Sequence, residues 1–379
     1  MPLKEHRTFH SNPGQTQIDH VPDRMLLQWH ITERCNLRCD HCYQENLTLP
    51  DPAWNEMLSA LEQFKSFIHY YREQHGGKRF RAHITVTGGE PFVREDFMAL
   101  LEKLSAGERL FSFAVLTNGT MLTSAVAHSL RLLKPGFVQV SIDGIRETHD
   151  CIRGAGSYES AVEGLKLLVR ERIPTHISFT AHSGNFREFP HVARLGRQLG
   201  VTRVWSDRRV PCGRGGFSKD RVLSPAETRE FFGLMSKETQ RGWLLRSPVA
   251  LHRSLQFMVT GDRPYQCSAG DKLVTVLPNG DVCPCRRMPL VVGNIFKEPL
   301  EYIYATSPLF RDLRDRERIS RGCEGCFFAR TCRGGSRCLA CAVHGDPFHA
   351  DPGCWLSTSR EENCWYDDRQ GIRNDLVNI

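Results

Sequence analysis

From residue 26 to about 210, short apolar or β-branched runs alternate with longer segments whose apolar residues recur every three to four positions. The short runs lie at 26–32, 83–87, 111–117, 137–142, 175–181 and 201–206. Their length and content predict strands. Helical patterns fall between them at 53–75, 94–105, 122–134, 157–171 and 187–199. Six strand–helix units in series predict an α/β fold with a parallel sheet, a partial (β/α)6 barrel of the TIM type. Two more helical patterns follow at 224–240 and 249–260. From 265 onward short apolar pieces alternate with Cys, Gly and Pro, the pattern of a small cysteine-rich domain organised by metal rather than by a thick core. The expected division is an N-terminal extension (1–25), a barrel (26–223), a helical connector (224–264) and a cluster domain (265–379).

Composition sharpens this picture at one point, the cysteines. The 379 residues are 40% hydrophobic and 25% charged, which is globular and large enough to need no covalent staples. Yet there are 15 cysteines: three within 35–42, ten within 267–364, and Cys151 and Cys212 between. Residues 1–25 carry no apolar targeting core, and no apolar run reaches membrane-spanning length. A cytoplasmic protein is expected, without a membrane partner. In that compartment clustered cysteines read as metal ligands or redox groups rather than disulfides. The net charge of +7 is spread out, with no long Lys/Arg block, so no nucleic-acid partner is expected.

In such folds ligands meet the carboxyl ends of the strands, so the loops after the strands are where chemistry is sought. The first strand runs into Cys35-x3-Cys39-x2-Cys42. Three thiols are one short of a closed zinc site. His41, wedged between two of them, is expected to point away. A four-iron cluster on three thiolates would leave one iron open to a small molecule; zinc is the competing reading. The second strand ends in Thr87-Gly88-Gly89-Glu90-Pro91, the third in Thr117-Asn118-Gly119, and the fourth in Ser141-Ile142-Asp143-Gly144, with His149, Asp150 and Arg153 beyond. Glycines let backbone approach a ligand, Glu90 suits an ammonium, and Arg153 suits a carboxylate. Each also has an ordinary reading, because Asn118 and Asp143 before glycine are good turn formers.

The spacing and placement of Cys35, Cys39 and Cys42 resemble the radical S-adenosylmethionine (SAM) enzymes. The resemblance implies an open [4Fe-4S] cluster on these thiols. It also implies a SAM site in which Gly88, Gly89, Glu90 and Pro91 meet the methionyl amino group. Ser141 and Arg153 would hold its carboxylate, and Asn118 and Asp143 would meet the ribose. The C-terminal pattern is Cys267, Gly280, Cys285, then Cys323-x2-Cys326-x5-Cys332, Ser336, Cys338 and Cys354. It resembles the SPASM extension, which carries auxiliary Fe–S clusters. One ligand set is complete: Cys323, Cys326, Cys332 and Cys354. The other has Cys267 and Cys285, lacks the usual thiol at Ser336, and takes Cys338 instead. Its fourth ligand is Cys283, Cys341, Ser336 or none, and structural zinc is the competing reading for the whole region.

Cys151, Cys212 and Cys364 fit no set. Cys212 is the one candidate catalytic thiol, and Asp207, Arg208 and Arg209 are expected to line a substrate cavity. The resemblance implies reductive cleavage of SAM to a 5′-deoxyadenosyl radical, which abstracts hydrogen from a substrate. The leading expectation is a side chain of a ribosomally made peptide. With residues 1–25 alone ahead of the first strand, a peptide substrate is expected to need a separate recognition protein or to dock directly. Tetrapyrrole side chains, as in haem d1 and alternative haem synthesis, are the alternative, and a non-catalytic Fe–S scaffold is a minor one. A reductant such as flavodoxin or ferredoxin is implied. Arg286 stands after Cys285, where sulfatase-maturing relatives would carry an acid.

Overall fold

The computed structural model describes residues 22–45, 50–74, 80–107, 110–217, 221–241 and 247–356. Cys364 and the aromatic tail at Trp365 and Tyr366 lie outside them. The elements run β1 (Arg24–His30), α1 (Trp54–Gln74), β2 (Arg81–Thr87), α2 (Phe97–Ser105), β3 (Ser112–Thr117), α3 (Ser124–Leu133), β4 (Phe137–Ser141), α4 (Arg146–Arg153) and α5 (Ser157–Arg170). They continue with β5 (Thr175–Ala181), α6 (Phe189–Leu199), β6 (Arg203–Arg208), α7 (Pro225–Gln240), α8 (Phe257–Thr260), β7 (Leu273–Val276), β8 (Asp281–Cys283) and β9 (Gly293–Asn294). Four helices close the described chain: α9 (Leu300–Thr306), α10 (Pro308–Arg314), α11 (Ala329–Cys332) and α12 (Arg337–His344). No helix among the described residues is long and apolar enough to cross a membrane.

All six barrel strands pair in parallel, and the sheet does not stop with them. Its order is β6-β5-β4-β3-β2-β1-β7-β8-β9. β7 adds to β1 in parallel, and β8 and β9 follow antiparallel. The cysteine-rich segment therefore begins as a continuation of the barrel sheet. One sequence expectation changes. The helical pattern at 249–260 contracts to α8, because residues 248–250 lie along the edge of β6 instead (Val204 N to Pro248 O 2.8 Å, Ala250 N to Val204 O 2.9 Å). An unpaired edge is thereby covered.

The period-2 alternation of the strands separates two environments. Met25, Leu27 and Trp29 of β1, Ile84 and Val86 of β2, and Val138 and Val140 of β4 are buried. They face a helical layer whose apolar residues repeat at helical spacing, as with Met57, Leu61, Phe64, Ile68 and Tyr71 of α1. The opposite face is polar. Register aligns Thr275, Gln28 and Thr85 in one row, and Ser141, Ser178 and Trp205 in another. Trp205 Nε1 donates to Gln139 Oε1 across the intervening β5 (2.9 Å), which places both side chains on this face. Several residues on this face are half-buried in mid-strand, among them Leu26, Gln28, Ser178, Thr180 and Asp207. This is the inside of the barrel.

The C-terminal segment is tied to this frame at two places. Tyr304 of α9 packs on Phe67 and Tyr71 of α1 and donates to Asp271 O (2.6 Å). Arg208, at the end of β6, makes a paired grip on Asp351 (NH1 to Oδ1 2.8 Å), both side chains buried. The expectation that Asp207, Arg208 and Arg209 line one cavity is corrected here. Neighbouring strand residues point to opposite faces, so Arg208 serves the domain contact while Asp207 stays on the inner face.

Candidate active site

The loop after β1 carries Cys35, Cys39 and Cys42, and the loop after β2 is laced to it. Gly89 N donates to Thr32 O and Glu90 N to Arg34 O, each at 2.9 Å. A Cβ on Gly88 would come within 2.4 Å of Thr32 O, and one on Gly89 within 2.1 Å of Arg34 O. The two glycines are required for this approach. The loop after β6 closes the other side: Gly215 N donates to Cys42 O (2.7 Å) and Arg214 N to Gln44 O (3.0 Å). Three N–H groups point at sulfur: Leu37 N (3.4 Å) and Asn118 Nδ2 (3.9 Å) on Cys35, and Arg153 NH1 (3.8 Å) on Cys39. Burial pushes the Cys35 thiol up to about 11 and raises Cys39 and Cys42. Beside the loop lies a cavity of about 480 Å³ lined by Asn36, Arg38, Asp40, Arg153 and Arg214 among others.

Glu90 is fully buried under this loop. Oε1 accepts from Thr117 Oγ1 (2.8 Å) and Phe92 N (3.2 Å), and Oε2 from Asn118 N (2.7 Å). Burial nevertheless raises its carboxyl to about 7. Two carboxylate oxygens have lone pairs beyond these three bonds, so Glu90 can still accept from a ligand. Asn118 also bonds Asn36 Oδ1 (2.8 Å), which fixes the third-strand loop to the cysteine loop. Ser141 ends β4 half-buried on the inner face.

Asp143 differs from its sequence reading. It is wholly enclosed, with Oδ2 on Arg153 Nε (2.6 Å) and Oδ1 on Thr180 N (2.8 Å). Burial alone would raise its carboxyl, but the Arg153 guanidinium and His41 bring it down to about 2. Its geometry is that of a group orienting Arg153, not of one facing a ligand. His41 does turn away from the thiols, with Nε2 accepting from Arg153 NH2 (3.4 Å); burial lowers it to about 4, so it is neutral. His149 Nδ1 accepts from Asp143 N (3.1 Å).

The C-terminal thiols separate into two groups. Cys323, Cys326, Cys332 and Cys354 line one small cavity with Asp351, walled by Leu255, Phe257, Met258 and Phe328. Burial pushes Cys323 and Cys332 up to about 12. Cys267, Cys285 and Cys338 form the second group. Cys285 donates to Cys338, which that bond, with Arg287 and Ser336 nearby, brings down to about 6 despite its burial. Ser336 Oγ stands 3.3 Å from Cys338 Sγ. Cys341 lies one helical turn beyond Cys338 and feels its charge. Burial pushes the Cys283 thiol up, and Arg286 and the Cys285 backbone N–H act against it.

The descriptions of two known families match this chain, the radical SAM superfamily over residues 29–196 and the SPASM iron–sulfur cluster-binding domain over 267–327. An AdoMet-dependent heme synthase of Methanosarcina barkeri is 30% identical over 351 residues, covering 87% of this chain and 95% of that protein. The chain belongs to the radical SAM superfamily. A PqqA peptide cyclase of Gluconobacter oxydans is 26% identical, covering 93% of this chain and 95% of that one. The solved structure of native anSMEcpe with bound AdoMet shares the fold (TM-score 0.69, 18% identity, 87% of this chain and 94% of that one).

A radical SAM enzyme uses a [4Fe-4S] cluster and SAM, and its SPASM domain carries auxiliary clusters. The residues present fit these groups. The first loop offers three thiols with N–H donors aimed at sulfur, the surroundings that stabilise cluster thiolates. The complete auxiliary set surrounds a single cavity. The second set brings three thiols and a serine together.

Inside the mouth, acids and arginines interlock. Asp207 meets Arg253 (2.8 Å) and Arg287 (2.9 Å), Asp40 meets Arg221 (2.7 Å), and Glu33 meets Arg286 (3.2 Å). Glu33 escaped the sequence reading. Its signal was there: an acid two residues before Cys35, and an arginine after Cys285 where an acid was expected. Cys212 is half-buried beside Cys338 and Arg287, and burial pushes its thiol up to about 11. A nucleophilic cysteine needs the opposite shift, so the structure gives Cys212 no activation.

Proposed function

We propose that this radical SAM enzyme abstracts hydrogen from a side chain of a ribosomally made peptide held along the inner face of the barrel. The observation that carries this reading is the polarity of that face. Gln28, Thr85 and Thr275 form one row and Ser141 and Ser178, with Trp205, another, and Gln139 of β4 and Thr180 of β5 share that face. Such amide and hydroxyl groups suit the alternating donors and acceptors of a peptide backbone. A flat macrocycle would require broad apolar walls. The relationship to PqqA peptide cyclase supports the same reading.

In this proposal Cys35, Cys39 and Cys42 hold the open cluster, which with SAM supplies the 5′-deoxyadenosyl radical. Glu90 accepts from the SAM ammonium next to Gly88, Gly89 and Pro91. Arg153, held by Asp143, reaches the SAM carboxylate with Ser141, and Asn118 meets the ribose. The loop carrying Gly213 and Gly215 presses on Tyr43 and His41 so closely that a Cβ on Gly213 would fall 2.1 Å from Tyr43 O. That contact fixes the thiol loop against the loop after β6. Cys323, Cys326, Cys332 and Cys354 hold one auxiliary cluster and Cys267, Cys285 and Cys338 another. A flavodoxin- or ferredoxin-type reductant supplies electrons.

A second reading, modification of a tetrapyrrole side chain, is favoured by the 30% identity to the heme synthase and by Arg38, Arg153 and Arg214 around the cavity at the thiol loop, which suit propionates. One experiment separates the two. The reconstituted enzyme is given SAM and reductant under anaerobic conditions, and 5′-deoxyadenosine is quantified with native and protease-treated cell extract. Stimulation that protease abolishes supports the peptide. Stimulation that survives protease and follows a porphyrin-absorbing fraction supports the tetrapyrrole.

A further inference from the structure

The second auxiliary set has three thiols and an unfilled role. The residues around Ser336 are arranged to bring its hydroxyl to that role. Arg333, Gly334 and Gly335 all have positive φ (60°, 81° and 78°). This run of left-handed residues turns the chain sharply just after Cys332, so that Cys332 faces one thiol set and residues 336–338 the other. The turn is held from two sides. Arg333 NH2 donates to Leu313 O (2.9 Å) and Asp315 O (2.7 Å), and Ser336 N donates to Asp351 Oδ2 (2.8 Å).

Ser336 occupies the N-cap of α12, where a serine side chain ordinarily accepts from the first-turn amides. It makes no such capping bond. Its hydroxyl is turned toward Cys338 Sγ instead, at 3.3 Å. A cap is forgone and an oxygen is placed beside a sulfur that belongs to the thiol set.

We propose that Ser336 supplies the fourth protein bond to the auxiliary Fe–S centre held by Cys267, Cys285 and Cys338, through Oγ. The hydroxyl proton leaves to solvent as the iron–oxygen bond forms, and no electron is transferred. The centre is then mixed, three sulfurs and one oxygen, beside an all-thiolate neighbour at Cys323, Cys326, Cys332 and Cys354. This rests on the assignment of the three thiols as ligands.

The test uses full-length reconstituted protein, read by iron content, visible absorption and EPR of the reduced state. Ser336→Ala is expected to lose the iron of one centre while the spectrum of the other persists. Ser336→Cys is expected to keep full iron, with stronger and red-shifted sulfur-to-iron absorption and altered g-values. If Ser336→Ala keeps its iron and an unchanged EPR signal, the serine is only a neighbour and the proposal is overturned. It is equally overturned if Ser336→Cys gives the wild-type spectrum, a test that stands even if Ser336→Ala does not fold. Loss of the centre in Cys212→Ser or Cys341→Ser would assign the fourth bond to a thiol. Retention of the centre in Cys285→Ala would overturn the three-thiol assignment itself, which is a separate failure.

Discussion

At the barrel mouth three thiols sit on one loop, and that loop is fixed by a parallel sheet that exists without them. In the C-terminal domain the thiols come from segments as distant as Cys267 and Cys354, joined by short helices, strands of two to four residues and tight turns. The mouth is a site mounted on a fold. The C-terminal region is a fold gathered around its sites. The difference follows from core size: the barrel buries one apolar face of a long sheet under a layer of helices, whereas residues 320–354 have few buried apolar side chains of their own, among them Ala329, Leu339 and Ala350.

The largest expected contrast comes from removing one thiol on each side. Cys35→Ala should abolish 5′-deoxyadenosine formation, measured by chromatography, while leaving the melting temperature within a few degrees of wild type. Cys323→Ala should lower the melting temperature much further, because the metal organises that segment. Equal destabilisation by the two would break the comparison.

Next in size is Asp351→Asn. It leaves the buried Arg208 guanidinium without its carboxylate, and breaking such a pair costs about 3–5 kcal/mol. Denaturant unfolding should show that loss, together with reduced iron at the Cys323 set, since Asp351 also accepts from Ser336 N and Gly353 N.

Glu90 gives a smaller, pH-dependent effect. Its carboxyl is raised from 4.5 to about 7 by burial. Stability tied to its protonated form is therefore complete below about 4.5 and is lost as pH rises through about 7, on the order of 3 kcal/mol in all. Glu90→Gln cannot ionise. Without SAM, the melting temperature of the variant should gain on wild type between pH 5 and pH 8, and a constant gap across that range would count against the burial argument. The smallest effect belongs to Cys151→Ser. Cys151 is exposed, and the change in unfolding free energy should stay within about 0.5 kcal/mol.

The strands of the barrel and the thiol loop were legible because their signals are local: a run of apolar residues, a spacing of cysteines, a pair of glycines. Local patterns miss what the sheet brings together at long range. The addition of β7 to β1 joins residues some 250 apart in sequence, and β7 is only four residues long. Nor does a strand pattern say which face is solvated, so Asp207 and Arg208 looked alike until the sheet set them on opposite sides. Asp143 read as a turn former or a ligand group; its burial under Arg153 is a tertiary fact. The helical pattern at 249–260 lost to the open edge of β6, a demand that exists only once the sheet has formed. At Ser336 the sequence did carry a signal, a serine in place of a cysteine, but the missing cap bond is visible only in three dimensions.

The grip of Arg208 on Asp351 sets an order of events during biosynthesis. Arg208 ends the last barrel strand and is made well over a hundred residues before its partner. Until residue 351 leaves the ribosome, the nascent barrel carries an uncompensated cation at the rim where the cluster segment will dock, and Cys354 is not yet there to join its three companions. In the proposed assignment, a cluster at that set awaits both the carboxylate that locks the segment down and the last thiol, which arrive together, three residues apart.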